Sequence, residues 1–286
     1  MFSKILLGYD GTHESEQVLK VSANIARKFG SEIRAVNILP EHTEFTKSFS
    51  VSERNLFDHW VEDNLKKKNI KKLEKKKEQL SNQGIKFSYE INYGVPHKEI
   101  LKEIKKNNYN LVVMGKGRFG GQSILGGTAK KILRDSNVSI FVHNTDFKKS
   151  TFKKVLVPTD IYNIAKKDLR YASEISEKYN SKVYLLNIVE KGDNNYPAEV
   201  IETLKGNSYT ALSEYLLKSK NMSGVEPRVR VAQNSWVGIK DFIVEENIDL
   251  VVMMSYGGDK IRSEYLGSVA EKVVEHSPCP VIALQL

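Results

Sequence analysis

The stretch Lys4-Ile5-Leu6-Leu7-Gly8-Tyr9-Asp10 recurs 150 residues later as Lys154-Val155-Leu156-Val157-Pro158-Thr159-Asp160. Both copies are short apolar runs that end in an aspartate. Other segments repeat in the same order: Ala35–Ile38 with Leu185–Ile188, Asn110–Met114 with Asp249–Met253, and Leu125–Ile132 with Leu266–Val273. The chain of 286 residues is therefore predicted to be a tandem duplication, with one unit at 1–146 and a second at 151–286.

Each unit alternates apolar, β-branched runs with helical segments. This alternation predicts an α/β fold in which a doubly wound parallel sheet is covered by helices on both faces. Ligands of such sheets bind beyond the carboxyl ends of the strands, where the strand order reverses. Asp10 and Asp160 end the first strands and Gly-rich loops end the fourth, so we expect both to face one crevice in each unit.

Composition narrows the class of protein. The net charge of +9 comes from the first unit, where Leu65–Leu80 holds eight lysines and two glutamates. The leucine spacing there predicts a solvated amphipathic helix, and the absence of arginine and aromatic residues argues against nucleic-acid binding.

No apolar stretch is long enough to span a membrane, and the N-terminus lacks a signal peptide, so a cytoplasmic location is expected. A single cysteine, Cys279, excludes an intramolecular disulfide, and the histidines show no metal-ligand spacing.

The first Gly-rich loop runs from Gly115 to Thr128 and nearly matches two phosphate-binding motifs. Its Gly115-x-Gly117-x-x-Gly120 spacing fits the dinucleotide pattern but follows the fourth strand rather than the first. A Walker A loop is also approximated, with Gly127 in place of the lysine, which argues against a motor-type NTPase. Converging N–H groups would bind an anion here. The alternative is a loop that only turns tightly into the next helix.

Several second-unit motifs together resemble the universal stress protein family. They are Pro158-Thr159-Asp160, Gly257 followed after nine residues by Gly267-Ser268, Val269-Ala270-Glu271-Lys272-Val273, and Ser277-Pro278-Cys279-Pro280-Val281. The resemblance implies two doubly wound five-stranded parallel sheets of the adenine nucleotide alpha hydrolase-like type, related by a pseudo-twofold axis. It further implies that the last strands, Ser139–His143 and Val281–Leu286, pair within the chain. A homodimer of whole chains is left open.

The resemblance also implies an adenine nucleotide site, for ATP or AMP, with Mg²⁺ possible alongside ATP. In the second unit the expected contacts are Asp160, the backbone near Ile188, Gly257, Gly267, Ser268 and Val269. The first-unit counterparts are Asp10, Ile38, Gly115, Gly117, Gly126, Gly127 and Thr128. The second site is preferred because helix register places Gly127 where Ser268 stands, although Met254 replaces the first loop glycine. Each aspartate could instead cap the helix that follows it.

These observations predict a stress-response regulatory protein that binds an adenine nucleotide and acts on protein partners that the sequence does not identify. Two alternatives are kept. One is an interaction scaffold that has lost nucleotide binding. The other is a slow ATP hydrolase, which is disfavoured because no acidic residue that would hold Mg²⁺ stands next to the loop.

Overall fold

The computed structural model describes residues 1–41, 48–161, 166–194, 196–219, 224–255 and 267–285. The first unit contains β1 (Lys4–Gly8), α1 (His13–Phe29), β2 (Glu32–Leu39), α2 (Val51–Trp60), a π-helical turn (Val61–Lys66), α3 (Lys67–Ser81), β3 (Phe87–Tyr93), α4 (Pro96–Lys106), β4 (Leu111–Gly115), β5 (Gly117–Phe119), β6 (Gln122–Ile124), α5 (Gly127–Asp135) and β7 (Ile140–His143). The second contains β8 (Lys154–Pro158), α6 (Lys166–Tyr179), β9 (Lys182–Glu190), α7 (Ala198–Lys218), β10 (Val225–Ala232), α8 (Ser235–Glu245), β11 (Leu250–Met254), α9 (Ser268–His276) and β12 (Val281–Leu284).

The two units share one ten-stranded sheet, in the order β10-β9-β8-β11-β12-β7-β4-β1-β2-β3. Neighbouring strands are parallel within each unit, which confirms the predicted doubly wound five-stranded sheets. The last strands β7 and β12 pair antiparallel at the centre, with Phe141 opposite Ile282. Antiparallel pairing of equivalent strands is what a twofold relation produces, so the predicted pairing within the chain is confirmed. The two sheets form one continuous sheet without an exposed edge between them.

The strands are apolar on both faces because helices cover both faces. Ile5 and Leu7 of β1 join the core under α1 and α3, while Leu6 faces the core under α4 and α5. The Lys-rich segment is amphipathic as predicted, with Leu73 and Leu80 buried and most of its lysines exposed. No helix in the described part of the chain is long and apolar enough to cross a membrane.

Side chains on both faces of the sheet reinforce the junction between the units. On one face, Phe152 packs against Phe141 and Tyr179, with ring centroids 6.0 Å and 5.1 Å apart. On the other face, Lys130 of α5 pairs with Glu275 of α9 at 2.8 Å. Cys279 lies buried beside this junction, and burial raises the pKa of its thiol to about 12, as expected for a packing residue. The domain limits at 146 and 151 stay a prediction.

Candidate functional site

A buried asparagine fixes the carboxyl end of the first strand in each unit. Asn37 of β2 donates through Nδ2 to the carbonyl oxygen of Tyr9 at 2.8 Å. Asn187 of β9 makes the same bond to the carbonyl oxygen of Thr159 at 3.0 Å. Each bond therefore holds the residue that precedes the strand-end aspartate. These asparagines were not predicted to have a role, although an identical polar residue at the same place in two apolar strands was a usable signal.

Asp10 holds the turn between β1 and α1 without capping the helix. Its Oδ1 accepts from the backbone N–H of Thr12 at 3.0 Å and from the Thr12 hydroxyl at 2.6 Å. Thr12 is the N-cap, because its hydroxyl oxygen accepts from the backbone N–H of Ser15. The interpretation of Asp10 as the cap is therefore wrong, and Asp10 remains exposed at the crevice. Asp160 occupies the equivalent exposed place after β8.

Ile38 and Ile188 place backbone groups beside the ends of the first strands. The carbonyl oxygen of Val36 accepts from the N–H of Tyr9, so Val36 turns its polar groups towards β1. Backbone direction alternates along a strand, and Ile38 therefore turns its own N–H and C=O to the same side, past the last residue of β1. The bond from Thr159 to the carbonyl oxygen of Leu186 gives Ile188 the same orientation. Both positions can reach a ligand seated over the strand ends.

The first Gly-rich loop contains a β-hairpin that sequence analysis missed. β5 and β6 pair antiparallel, and the two residues between them, Gly120 and Gly121, have φ values of 57° and 81°. A two-residue hairpin turn favours these positive φ values, which explains the paired glycines. The dinucleotide and Walker A spacings therefore fall across a hairpin and not on a continuous phosphate-binding loop. The Gly-Gly dipeptide between two short runs was the available signal.

Two other glycines of this region have different roles. Gly115, at the end of β4, packs against α1, because a Cβ there would lie 2.8 Å from Cγ2 of Val18. Gly117 begins β5 and is exposed. Gly115 is therefore explained by helix packing, and Gly117 opens the hairpin. Neither of these roles places the glycine concerned against a phosphate.

The beginnings of α5 and α9 are equivalent and uncapped. Gly126 is the N-cap of α5 and Gly267 that of α9, so Gly127 and Ser268 are the first helical residues, as the predicted register requires. No described side chain caps either helix. A Cβ on Gly126 or Gly127 would meet no atom within 4 Å, so space is open above the first turn. The first-turn N–H groups, which include those of Thr128 and Val269, can therefore bind an anion.

The second Gly-rich loop is described only at its two ends. The backbone N–H of Gly267 donates to the carbonyl oxygen of Ser255 at 2.8 Å, which brings these ends together. Gly257 lies outside the described residues. Met254, where the first unit has Gly115, donates its backbone N–H to Oδ2 of Asp168 at 3.1 Å. Asp168 stands where α1 has Val18 and is 3% exposed, and burial raises its pKa to about 7.

Lys116 follows Gly115, but its ammonium group turns away from the crevice. Nζ donates to the carbonyl oxygens of Glu275 and Ser277, both at 3.0 Å, at the end of α9 in the other unit. The side chain is 2% exposed, and burial lowers its pKa to about 8. Lys116 therefore links the first Gly-rich region to the second unit and does not supply a charge for phosphates.

Comparison with known proteins identifies a family and several proteins that this chain resembles. The model of the Universal stress protein family matches residues 1–143 and again residues 151–285. A universal stress protein of Methanocaldococcus jannaschii is 27% identical over 141 residues, which are 47% of this chain and 82% of that protein. A universal stress protein of Bacillus subtilis is 25% identical over 50% of this chain and 99% of its own length.

A crystal structure of a universal stress protein from Archaeoglobus fulgidus is similar over 99% of this chain and 98% of its own, with a TM-score of 0.70 and 22% identity. That likeness shows the fold of the whole chain, because both units are covered together. The curated relatives match about half of this chain over most of their own length, as expected if one relative corresponds to one repeat. With the family matched in both halves, the chain belongs to the universal stress protein family.

Proposed function

We propose that this protein is a stress-response regulatory protein that binds an adenine nucleotide, ATP or AMP, in at least one of its two crevices. The observation that carries the proposal is the pair of uncapped helix beginnings, Gly126-Gly127 and Gly267-Ser268. Their first-turn N–H groups, from Gly127 and Ser268 onwards, have no side-chain cap, and in the first unit open space surrounds them. Family membership supports the same ligand class. In this proposal the phosphates lie at these N–H groups, and adenosine lies near the strand-end aspartates.

The second crevice is the preferred one. Ser268 would add a hydroxyl to the first-turn N–H groups of α9, whereas Gly127 adds none to those of α5. Asp160, the backbone of Ile188, Gly257 and Val269 would complete that site. The first-unit site would use Asp10, Ile38, Gly126, Gly127 and Thr128. Gly115 and Gly117 contribute less to the first site, since Gly115 packs on α1 and Gly117 opens the hairpin.

Two mutants rank the crevices, with ATP and AMP titrated by calorimetry. Gly267→Val would place a branched side chain against the incoming phosphate, and we expect it to abolish binding by the second unit. Gly127→Val, at the first helical residue of α5, tests the first unit and should change binding little. Ser268→Ala should weaken binding by about 1–3 kcal/mol, because one hydrogen bond to a charged group is lost. The opposite ranking would make the first crevice the working site.

Mass spectrometry of any nucleotide released from freshly purified protein would identify the ligand. If neither ATP nor AMP binds at millimolar concentration, the interaction scaffold becomes the better interpretation. Turnover of ATP with added Mg²⁺ tests the slow hydrolase. We expect binding without efficient turnover, since the first Gly-rich loop contains no acidic residue that would hold the metal ion.

A further inference from the structure

A groove separate from both crevices runs along the outer surface of α1. Its floor is α1, one wall is α3, and the other wall is the segment Phe147–Ser150 that links the two units. We call it the α1–α3 groove. Its volume of about 460 Å³ is in the range of small-molecule sites. None of the residues proposed to bind the nucleotide lines it, and α5 packs on the opposite face of the sheet.

The charges along the α1–α3 groove are mostly positive. Its cations are Lys20, Arg27, Lys76, Lys148 and Lys149, and its only carboxylate among the lining residues is that of Glu16. Glu16 is already paired with Lys76 at 2.7 Å, and Lys149 is paired with Asp249 at 2.6 Å. Within the described residues, Lys20, Arg27 and Lys148 have no carboxylate partner. Lys148 donates through Nζ to the carbonyl oxygen of Thr145 at 2.9 Å, which leaves its charge unneutralised. Three cations without a carboxylate partner on the floor and one wall favour an anionic ligand.

Two buried polar atoms of the groove also lack partners. His143 is 1% exposed, and its Nδ1 makes no hydrogen bond to any described residue. Burial lowers the pKa of His143 to about 4, so the ring is neutral at physiological pH. Gln17 has the same deficit, because its Nε2 lies 2.8 Å from a His13 ring nitrogen while its buried Oε1 has no partner among the described residues. Buried polar atoms are rarely left unpaired in native proteins, so both need a partner that the described part of the protein does not supply.

The Oε1 atom of Gln17 narrows the chemistry. A side-chain amide oxygen only accepts hydrogen bonds, so it needs an O–H or N–H group from the ligand. The cations need a negative charge at the same time, and arginine with lysine is a common pair around phosphate. The ligand should therefore carry a phosphate and hydroxyl groups in one small molecule.

The groove is also formed in advance of any ligand. The wall α3 is fixed to the core by the buried Leu73 and Leu80, and the linker wall is tied to the second unit by the Lys149–Asp249 pair. Fixed walls reduce the ordering cost of binding a small molecule. We propose that the α1–α3 groove binds a phosphorylated sugar, with the phosphate at Lys20, Arg27 and Lys148 and a hydroxyl group at Oε1 of Gln17. This proposal does not depend on the nucleotide site.

Calorimetry with ribose 5-phosphate and the full-length chain tests the proposal. The double variant Lys20→Gln/Lys148→Gln removes two of the three cations that lack a carboxylate partner among the described residues. The matched control, Lys75→Gln/Lys77→Gln, changes the net charge equally at exposed positions of α3 that do not line the groove. We expect the groove variant to weaken binding about tenfold or more and the control to change it less than about twofold.

Two further measurements separate the groove from other anion sites. Gln17→Leu should remove the preference for ribose 5-phosphate over inorganic phosphate while leaving phosphate binding in place. Failure to bind ribose 5-phosphate at millimolar concentration would overturn the proposal. So would equal weakening by the groove and control variants, or loss of binding in Gly127→Val or Gly267→Val. Tighter binding of a single-stranded oligonucleotide, weakened alike by both double variants, would show that the lysines act as a polyanion surface instead.

Discussion

Lys116 provides a direct test of how the two units are joined, through the variant Lys116→Met. In the folded protein this ammonium group is buried, and its pKa falls from 10.5 to about 8. A shift of that size corresponds to roughly 3 kcal/mol that burial of the charge costs at neutral pH. Its two bonds to the carbonyl oxygens of Glu275 and Ser277, which the neutral amine can also make, offset a similar amount relative to a methionine. We therefore expect Lys116→Met to have nearly the same free energy of unfolding as the wild type at about pH 7.

The difference should appear as the pH rises. Between about pH 8 and 10.5 the folded state has lost the Lys116 proton while the unfolded chain still holds it. Stability rises with pH wherever the unfolded state binds more protons, so the wild type gains stability in this window. The neutral amine still has two N–H donors for the carbonyl oxygens of Glu275 and Ser277. The wild type should therefore exceed Lys116→Met by about 2–3 kcal/mol at about pH 10.

Urea unfolding followed by circular dichroism at both pH values measures this difference. Lys131→Met, at an exposed position of α5, is the matched control and should show no growing difference from the wild type. A Lys116→Met difference that does not change with pH would refute the reasoning. It would mean that burial at this position does not favour the neutral amine over the ammonium form.

Two further predictions concern the ends of the fourth strands. Gly115→Ala should lower the free energy of unfolding by about 1–3 kcal/mol, because its Cβ would lie 2.8 Å from Cγ2 of Val18. Gly127→Ala, with open space around it, should instead be neutral or stabilise by up to about 1 kcal/mol in the same urea titration. Asp168→Asn should stabilise the protein at about pH 8, because burial raises the pKa of Asp168 from 3.8 to about 7 and ionisation is then unfavourable. That gain should shrink towards about pH 5, where the folded carboxyl is protonated, and a gain independent of pH would contradict the assignment.

Sequence alone determined the repeat and the parallel sheets, whereas the pairing of the last strands was expected only from the resemblance to a family. Long apolar runs such as Leu111–Met114 specify buried parallel strands locally, and the duplication shows where the second copy of each begins. The equivalence of Gly126 and Gly267 could also be predicted, because the spacing of apolar residues on the buried face of each helix shows how the two helices align. The repeat, the strands and this equivalence follow from neighbours in the chain, so a local pattern is enough to predict them.

Tertiary structure alone decided which polar groups meet. The bond from Lys116 to Ser277 joins residues 161 positions apart, and nothing local to the loop distinguishes a lysine that binds phosphate from one that caps a distant helix. The hairpin after Gly115 likewise changed the role of several loop glycines. Burial of His143 and the placing of Lys20 and Lys148 along one groove arise only when the linker folds back over α1. Burial and charge depend on what surrounds a side chain in space, and the order of residues along the chain does not contain that information.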